Sequence, residues 1–228
     1  MRYRALAADY DGTLATDGVV DRATVEALRR LAATGRKLIL VTGRQLGDLR
    51  HAFPQAASFD AVVAENGAVL YRLQSLETRV LAPPPSSRFV EALRRRGVAP
   101  LWLGQVVVAT VQPNETAVTE VIGELGLDLR VILNKGSVMV LPASVDKATG
   151  LRATLDDLAL SPQNVVGIGD AENDQPFLAM CGCGVAVANA LDSLKEHADH
   201  VTQGQAGAGV REVIESLISQ DLQRDLPQ

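Results

Sequence analysis

Three short apolar runs constrain this chain more than any other feature, because each stops at a polar set that a buried strand does not itself require. Ala5-Leu6-Ala7-Ala8 runs into Asp9-Tyr10-Asp11-Gly12-Thr13-Leu14. Leu38-Ile39-Leu40-Val41 closes on Thr42-Gly43-Arg44, and Val165-Val166-Gly167-Ile168 closes on Gly169-Asp170 with Glu172, Asn173 and Asp174 just behind. Runs so short and so apolar read as strands buried on both faces, the mark of a parallel sheet covered by helices. Ligands of such sheets bind beyond the carboxyl ends of the strands. The three polar sets are therefore expected on one rim.

The intervening segments fit that sheet. The first strand is read over 3–8. Asp21 caps a predicted helix over 22–33, with Val25, Leu28 and Leu31 on one stripe and Gly35 at its end. A strand over 37–41, a helix over 45–53 stopped by Pro54, and a strand over 61–64 follow, and Glu65-Asn66-Gly67 reads as a plain turn. Pro83-Pro84-Pro85-Ser86-Ser87 then makes a stiff linker. Beyond it the grammar changes: a basic helix over 89–96, a strand over 105–111, a helix over 115–125, and strands over 129–133 and 138–141 around the hairpin-like turn Asn134-Lys135-Gly136-Ser137. The first grammar resumes after Pro142, with a helix over 148–158, strands over 164–168 and 184–188, and helices opening at Pro176 and covering 191–197 and 209–218. The polar end, 220–228, is expected to fray. The expected fold class is α/β: a Rossmann-like three-layer core with a parallel sheet, built from 1–82 and 143–228, and a small inserted α+β cap over 83–142.

Composition bounds the partners. With 228 residues, 47% hydrophobic and 21% charged, the chain can bury a core and an insert. A net charge of −5 and only 4% aromatic residues argue against nucleic acid or an anionic membrane as partner. No stretch reads as a signal peptide or a membrane-spanning helix. Cys181 and Cys183 stand too close for a structural disulfide and form no zinc set alone, so they read as reduced core residues of a cytoplasmic protein. His51, His197 and His200 show no ligand spacing and are read as surface residues, Trp102 as core of the insert, and Arg94-Arg95-Arg96 as a solvated helix face.

The rim residues suggest chemistry. Asp9 and Asp11 leave a buried strand side by side, where they repel and lose hydration unless a cation joins them. One reading is an Asp-Gly turn. The other is that Asp9 attacks phosphorus to give an acyl phosphate while Asp11 carries the proton needed by leaving group and water. Gly12 lets backbone approach a phosphate, with the N–H groups around it, Thr13 included, cradling oxygens. Asp170 adds another carboxylate, and with a phosphate dianion present a hard cation is required; Mg2+ fits. Thr42 is placed to donate to a phosphoryl oxygen, with Gly43 beside it. Arg44 either forks a substrate anion or pairs with an acidic neighbour. Lys147 is placed to supply a fixed cation. Asn134 and Lys135, on the turn of the insert, are candidates for substrate contact, or simply form a hairpin.

Together these residues resemble the haloacid dehalogenase-like superfamily of phosphohydrolases. Its four motifs are matched in order by DYDGTL at Asp9, VTGR ending at Arg44, Lys147 within VDKATGL, and GDAENDQPF from Gly169, and AENGAVLY, VAVANA, LKEHAD and the late Gly209-Val210 are similar too. The place of the insert is similar to the type II cap of Cof-like sugar phosphatases, sucrose-phosphate phosphatase, archaeal phosphoglycolate phosphatase and phosphomannomutase. The resemblance implies that Asp9 is nucleophile and metal ligand. It makes Asp11 the acid/base, with its backbone carbonyl on the metal. Thr42 and Lys147 then hold the phosphoryl group, Asp170 binds Mg2+, and Asp174 and Asn173 hold the metal shell directly or through water. The implied function is Mg2+-dependent hydrolysis of a small phosphorylated metabolite by a monomer or homodimer. A phosphomutase and a non-catalytic phosphate-binding module are the alternatives.

Overall fold

A computed structural model describes residues 1–222; most of the end expected to fray, 220–228, lies outside the described residues. The chain opens with β1 (Ala5–Asp9), α1 (Arg22–Ala33), β2 (Lys37–Val41), α2 (Leu46–Ala52) and β3 (Ala61–Ala64). β4 (Val69–Arg72) and β5 (Glu77–Val80) follow. Then come α3 (Ser87–Arg95), β6 (Trp102–Leu103), β7 (Val108–Val111), α4 (Glu115–Leu125), β8 (Leu129–Asn134) and β9 (Ser137–Pro142). The rest comprises α5 (Lys147–Asp157), β10 (Val165–Gly169), α6 (Gln175–Met180), β11 (Cys183–Ala186), α7 (Asp192–Lys195), β12 (His200–Val201) and α8 (Ala206–Gln220).

An eight-stranded sheet runs β12-β11-β10-β1-β2-β3-β4-β5. It is parallel from β12 to β3. The antiparallel strands β4 and β5 extend the expected parallel sheet, because the turn after β3 reverses the chain. From the β10–β1 boundary the crossovers run outward in opposite directions, so right-handed connections place α1 and α6 on opposite faces, giving three layers. That boundary is the topological switch point where a crevice opens at the carboxyl ends of the strands. Asp9 ends β1, and Asp170 follows β10, at that place.

A second, four-stranded antiparallel sheet runs β6-β7-β9-β8. Its β9 alternates by the two-residue period of a strand. Val138 and Val140 join Phe89, Leu93, Val118 and Val121 in a cluster under α3 and α4, while Met139 and Leu141 join the main core. One strand thus ties both apolar clusters. The strand expected over 105–111 is shorter, because 104–107 turns back toward the large sheet. Trp102 is corrected from core to surface: it is 49% exposed on the edge strand β6. Cys181 and Cys183 are buried free thiols. Among the described residues no helix is long and apolar enough to cross a membrane.

Candidate active site

Asp9 is buried at the end of β1, and its Oδ1 accepts a 2.6 Å hydrogen bond from Lys147 Nζ. Lys147 is the first residue of α5, whose start is fixed by a capping box: Asp146 accepts from the Thr149 amide and Thr149 Oγ1 accepts from the Asp146 amide. Gly67 packs so closely there that a Cβ on it would overlap the Asp146 carbonyl, and its φ is +103°. The turn after β3 therefore seats α5, and α5 aims Lys147 at β1. The same ammonium donates to Asp174 Oδ1 at 2.5 Å. Asp174 Oδ2 accepts the amides of Asp170 and Ala171 at 2.9 and 3.0 Å, folding the loop after β10 back on itself.

Oxygens of Asp9, Asp170 and Asp174 lie within 4.8 Å of one another, all three residues buried. Burial pushes the Asp9 carboxyl up to about 8, with Asp174 and Asp170 adding to the rise and Lys147 opposing it. Asp170 is raised too, first by burial, against hydrogen bonding from Lys135. For Lys147 burial works against the charge, but Asp174 and Asp9 outweigh it and the net shift is upward. One buried ammonium thus serves this cluster, in which Asp9 and Asp170 still disfavour their own ionisation. This donor set of hard oxygens, short of positive charge, fits a divalent cation.

Asp11 lies one step out, half-exposed, and its carboxylate is gripped by Arg44: Nε to Oδ2 at 2.6 Å and Nη2 to Oδ1 at 2.7 Å. Arg44 also stacks on Tyr10 at 5.1 Å. Of the two readings of Arg44 the structure realises the ion pair with an acidic neighbour. Gly12 has a φ of +91°, and a Cβ there would overlap Asp170 Oδ2. Thr13 Oγ1 donates to Asp170 Oδ1 at 3.2 Å. Thr42 is buried at the end of β2, its Oγ1 accepting the Arg44 amide, with Gly43 between them. Asn173 Nδ2 donates to Asn66 Oδ1 at 2.8 Å, and its own Oδ1 is buried without a partner.

Above Asp9 and Asp11, a cavity of about 460 Å³ opens between the two sheets. The second sheet roofs it with Trp102, Thr110, Asn134, Lys135, Ser137 and Met139. Lys135 reaches down to the large sheet, its Nζ donating to the Asp11 carbonyl at 2.7 Å and to Asp170 Oδ2 at 3.0 Å. Asn134 and Lys135 thus stand with the rim residues in one place.

The sequence reading missed Glu65 and Asn66, taken for a plain turn. Both are fully buried. The Glu65 carboxylate accepts three consecutive amides, of Gln105, Val106 and Val107, at 2.9, 2.8 and 2.8 Å, tying the end of β3 to the second sheet. Asn66 Nδ2 contacts Met139 Sδ at 3.1 Å. The signal was present: Ala61-Val62-Val63-Ala64 is another apolar run ending in polar residues, on the same rim.

Comparison with known proteins agrees with this geometry. The family model of haloacid dehalogenase-like hydrolases matches residues 6–120 and 130–214. Phosphoglycolate phosphatase of Methanothermobacter thermautotrophicus is 31% identical over 220 residues, covering 92% of this chain and 97% of that protein. The protein of that name from Halorubrum lacusprofundi is 32% identical over 230 residues, covering 93% and 96%. Among solved structures, a haloacid dehalogenase-like hydrolase from Bacteroides thetaiotaomicron superposes with a TM-score of 0.81 at 21% identity, covering 94% of this chain and 99% of that one. By sequence and by fold, the chain belongs to the haloacid dehalogenase-like hydrolases.

Proposed function

We propose that this chain is a Mg2+-dependent phosphatase of small phosphorylated metabolites, with a phosphoglycolate-like acid as first candidate and a sugar phosphate as second. The observation that carries this reading is Asp9, buried at the switch point, paired with Lys147 and open to a cavity of metabolite size. The relatives named phosphoglycolate phosphatase support the first candidate. Asn134 and Ser137, polar and on the cavity wall, suit the hydroxyls of the second.

In the first step Asp9 attacks phosphorus, the bond from phosphorus to the substrate oxygen breaks, and the leaving alkoxide takes a proton from Asp11. In the second step water attacks the phosphorus of the aspartyl-phosphate and gives its proton to Asp11, releasing inorganic phosphate and restoring Asp9. Thr42 and the amides around Gly12 and Thr13 bind phosphoryl oxygens, and Lys147 holds Asp9 in line while offsetting charge. Asp9, the Asp11 carbonyl and Asp170 would hold the cation. Asn173 and Asp174 support that shell, Asp174 chiefly through the Asp170 amide and Lys147, since both of its oxygens are engaged. When bound, Mg2+ supplies charge neutralisation between anionic nucleophile and anionic substrate. Arg44 fixes the direction of the Asp11 carboxylate. Residues 1–82 and 143–228 act as the catalytic core. Residues 83–142 act as a cap that excludes bulk water, Asn134 and Lys135 bordering the substrate.

A phosphate-release screen of 2-phosphoglycolate and sugar phosphates, with Mg2+ and with EDTA, tests this. The expected result is Mg2+-dependent release for at least one of these classes, abolished in Asp9→Asn. Release that persists in Asp9→Asn or in EDTA contradicts the reading. Phosphoryl return to the sugar without phosphate release indicates a mutase.

A further inference from the structure

Lys135 occupies a turn position that a lysine does not favour. Asn134 pairs with Ser137 across the β8–β9 hairpin, leaving Lys135 and Gly136 as a two-residue turn. Their φ values are +48° and +84°, a combination that prefers Asn or Gly at the first place. A strained backbone retained at one residue points to a use for its side chain. That side chain spans from the second sheet to the first and ends on two oxygens, the Asp11 carbonyl and Asp170 Oδ2. No other side chain among the described residues donates a hydrogen bond to the Asp11 carbonyl, and the remaining Asp170 oxygen takes Thr13.

These are two of the oxygens assigned above to the cation. Their lone pairs serve either an ammonium or a divalent ion, since each needs close approach and the two positive charges repel. We propose that Lys135 is a tethered cation that competes with the divalent ion for the Asp11 carbonyl and Asp170, so that metal loading displaces Lys135 and loosens the second sheet from the rim. The inference rests on the metal assignment of the preceding section. It gives the site an order: the ammonium holds the two sheets together at this point until the metal takes its oxygens, and the displaced lysine is then free to turn toward the cavity it already lines. By linkage, whatever Lys135 contributes to closure is subtracted from metal affinity.

Two measurements on the intact chain test this. Lys135→Asn removes the ammonium while putting a residue suited to a positive φ in the turn, so the hairpin is kept. Calorimetric titration with Mg2+ alone is expected to show binding about five- to tenfold tighter to this variant than to wild type. Amine labelling of wild type followed by mass spectrometry reads the displacement itself. The chain has four lysines, Lys37, Lys135, Lys147 and Lys195. Mg2+ is expected to speed labelling of Lys135 and leave Lys37 and Lys195 unchanged. Labelling of Lys135 that is unchanged or slowed by bound Mg2+ overturns the proposal, as does equal or weaker binding to Lys135→Asn. Absence of Mg2+ binding to either protein overturns it together with the metal assignment, which sets the two failures apart.

Discussion

Asp9 and Lys147 form the pair on which the site depends. Lys147 is only 2% exposed and, among the described residues, carries the sole ammonium paired with Asp9 and Asp174. Replacing it with an apolar residue of similar length strands two buried carboxylates. Lys147→Met is therefore expected to lower stability by about 3–5 kcal/mol, read by urea unfolding, and to abolish turnover. A variant as stable as wild type contradicts the electrostatic description. The meeting of the carboxylates on one rim was legible because Asp9 and Asp170 each end an apolar run. The partner of Arg44 was not, since the choice between a substrate anion and Asp11 depends on how close β1 and β2 bring their ends, and Asp9 pairs in register with Val41. The order Asp-Lys before a helix likewise did not announce that Lys147 is buried.

At the scale of elements, the turn after β3 does more than reverse the chain. It seats α5 through Gly67 and holds 105–107 through Glu65. Glu65→Ala leaves three amides without their acceptor, two of them in buried surroundings. The expected cost is about 2–4 kcal/mol in denaturant unfolding, with faster hydrogen exchange at 105–107. Exchange there at the wild-type rate contradicts the role given to Glu65. The helices and parallel strands were legible because their periods and caps are local: Asp21 accepts from the Thr24 amide, and Gly35 lies past the end of α1. β5 was not singled out, because all of it is exposed and an edge strand carries no apolar signature; β4, buried at Val69, Leu70 and Tyr71, carried one and was passed over as the exit of the turn. Trp102 misled for a related reason: it sits on the two-residue edge strand β6, where an aromatic side chain faces the cavity.

At the scale of the molecule, the order β10-β1-β2 brings together residues as far apart in sequence as Asp9 and Asp170. Three polar sets at the ends of apolar runs were enough to anticipate that rim, since parallel strands put their carboxyl ends on one side. The turn of the insert was named as a candidate contact, but the bonds of Lys135 to the Asp11 carbonyl and Asp170 were not readable, because they depend on the alternating faces of β9 and on a lysine in an unfavoured turn. The account as a whole stands on a covalent bond between phosphorus and Asp9, and trapping that bond tests it most directly. Borohydride added during steady turnover of p-nitrophenyl phosphate reduces an aspartyl-phosphate to homoserine, which fragmentation of the tryptic peptide 5–22 assigns to one residue. The account predicts homoserine at position 9 and aspartate retained at Asp11, Asp17 and Asp21. Homoserine at another position, or steady turnover with none formed, contradicts it.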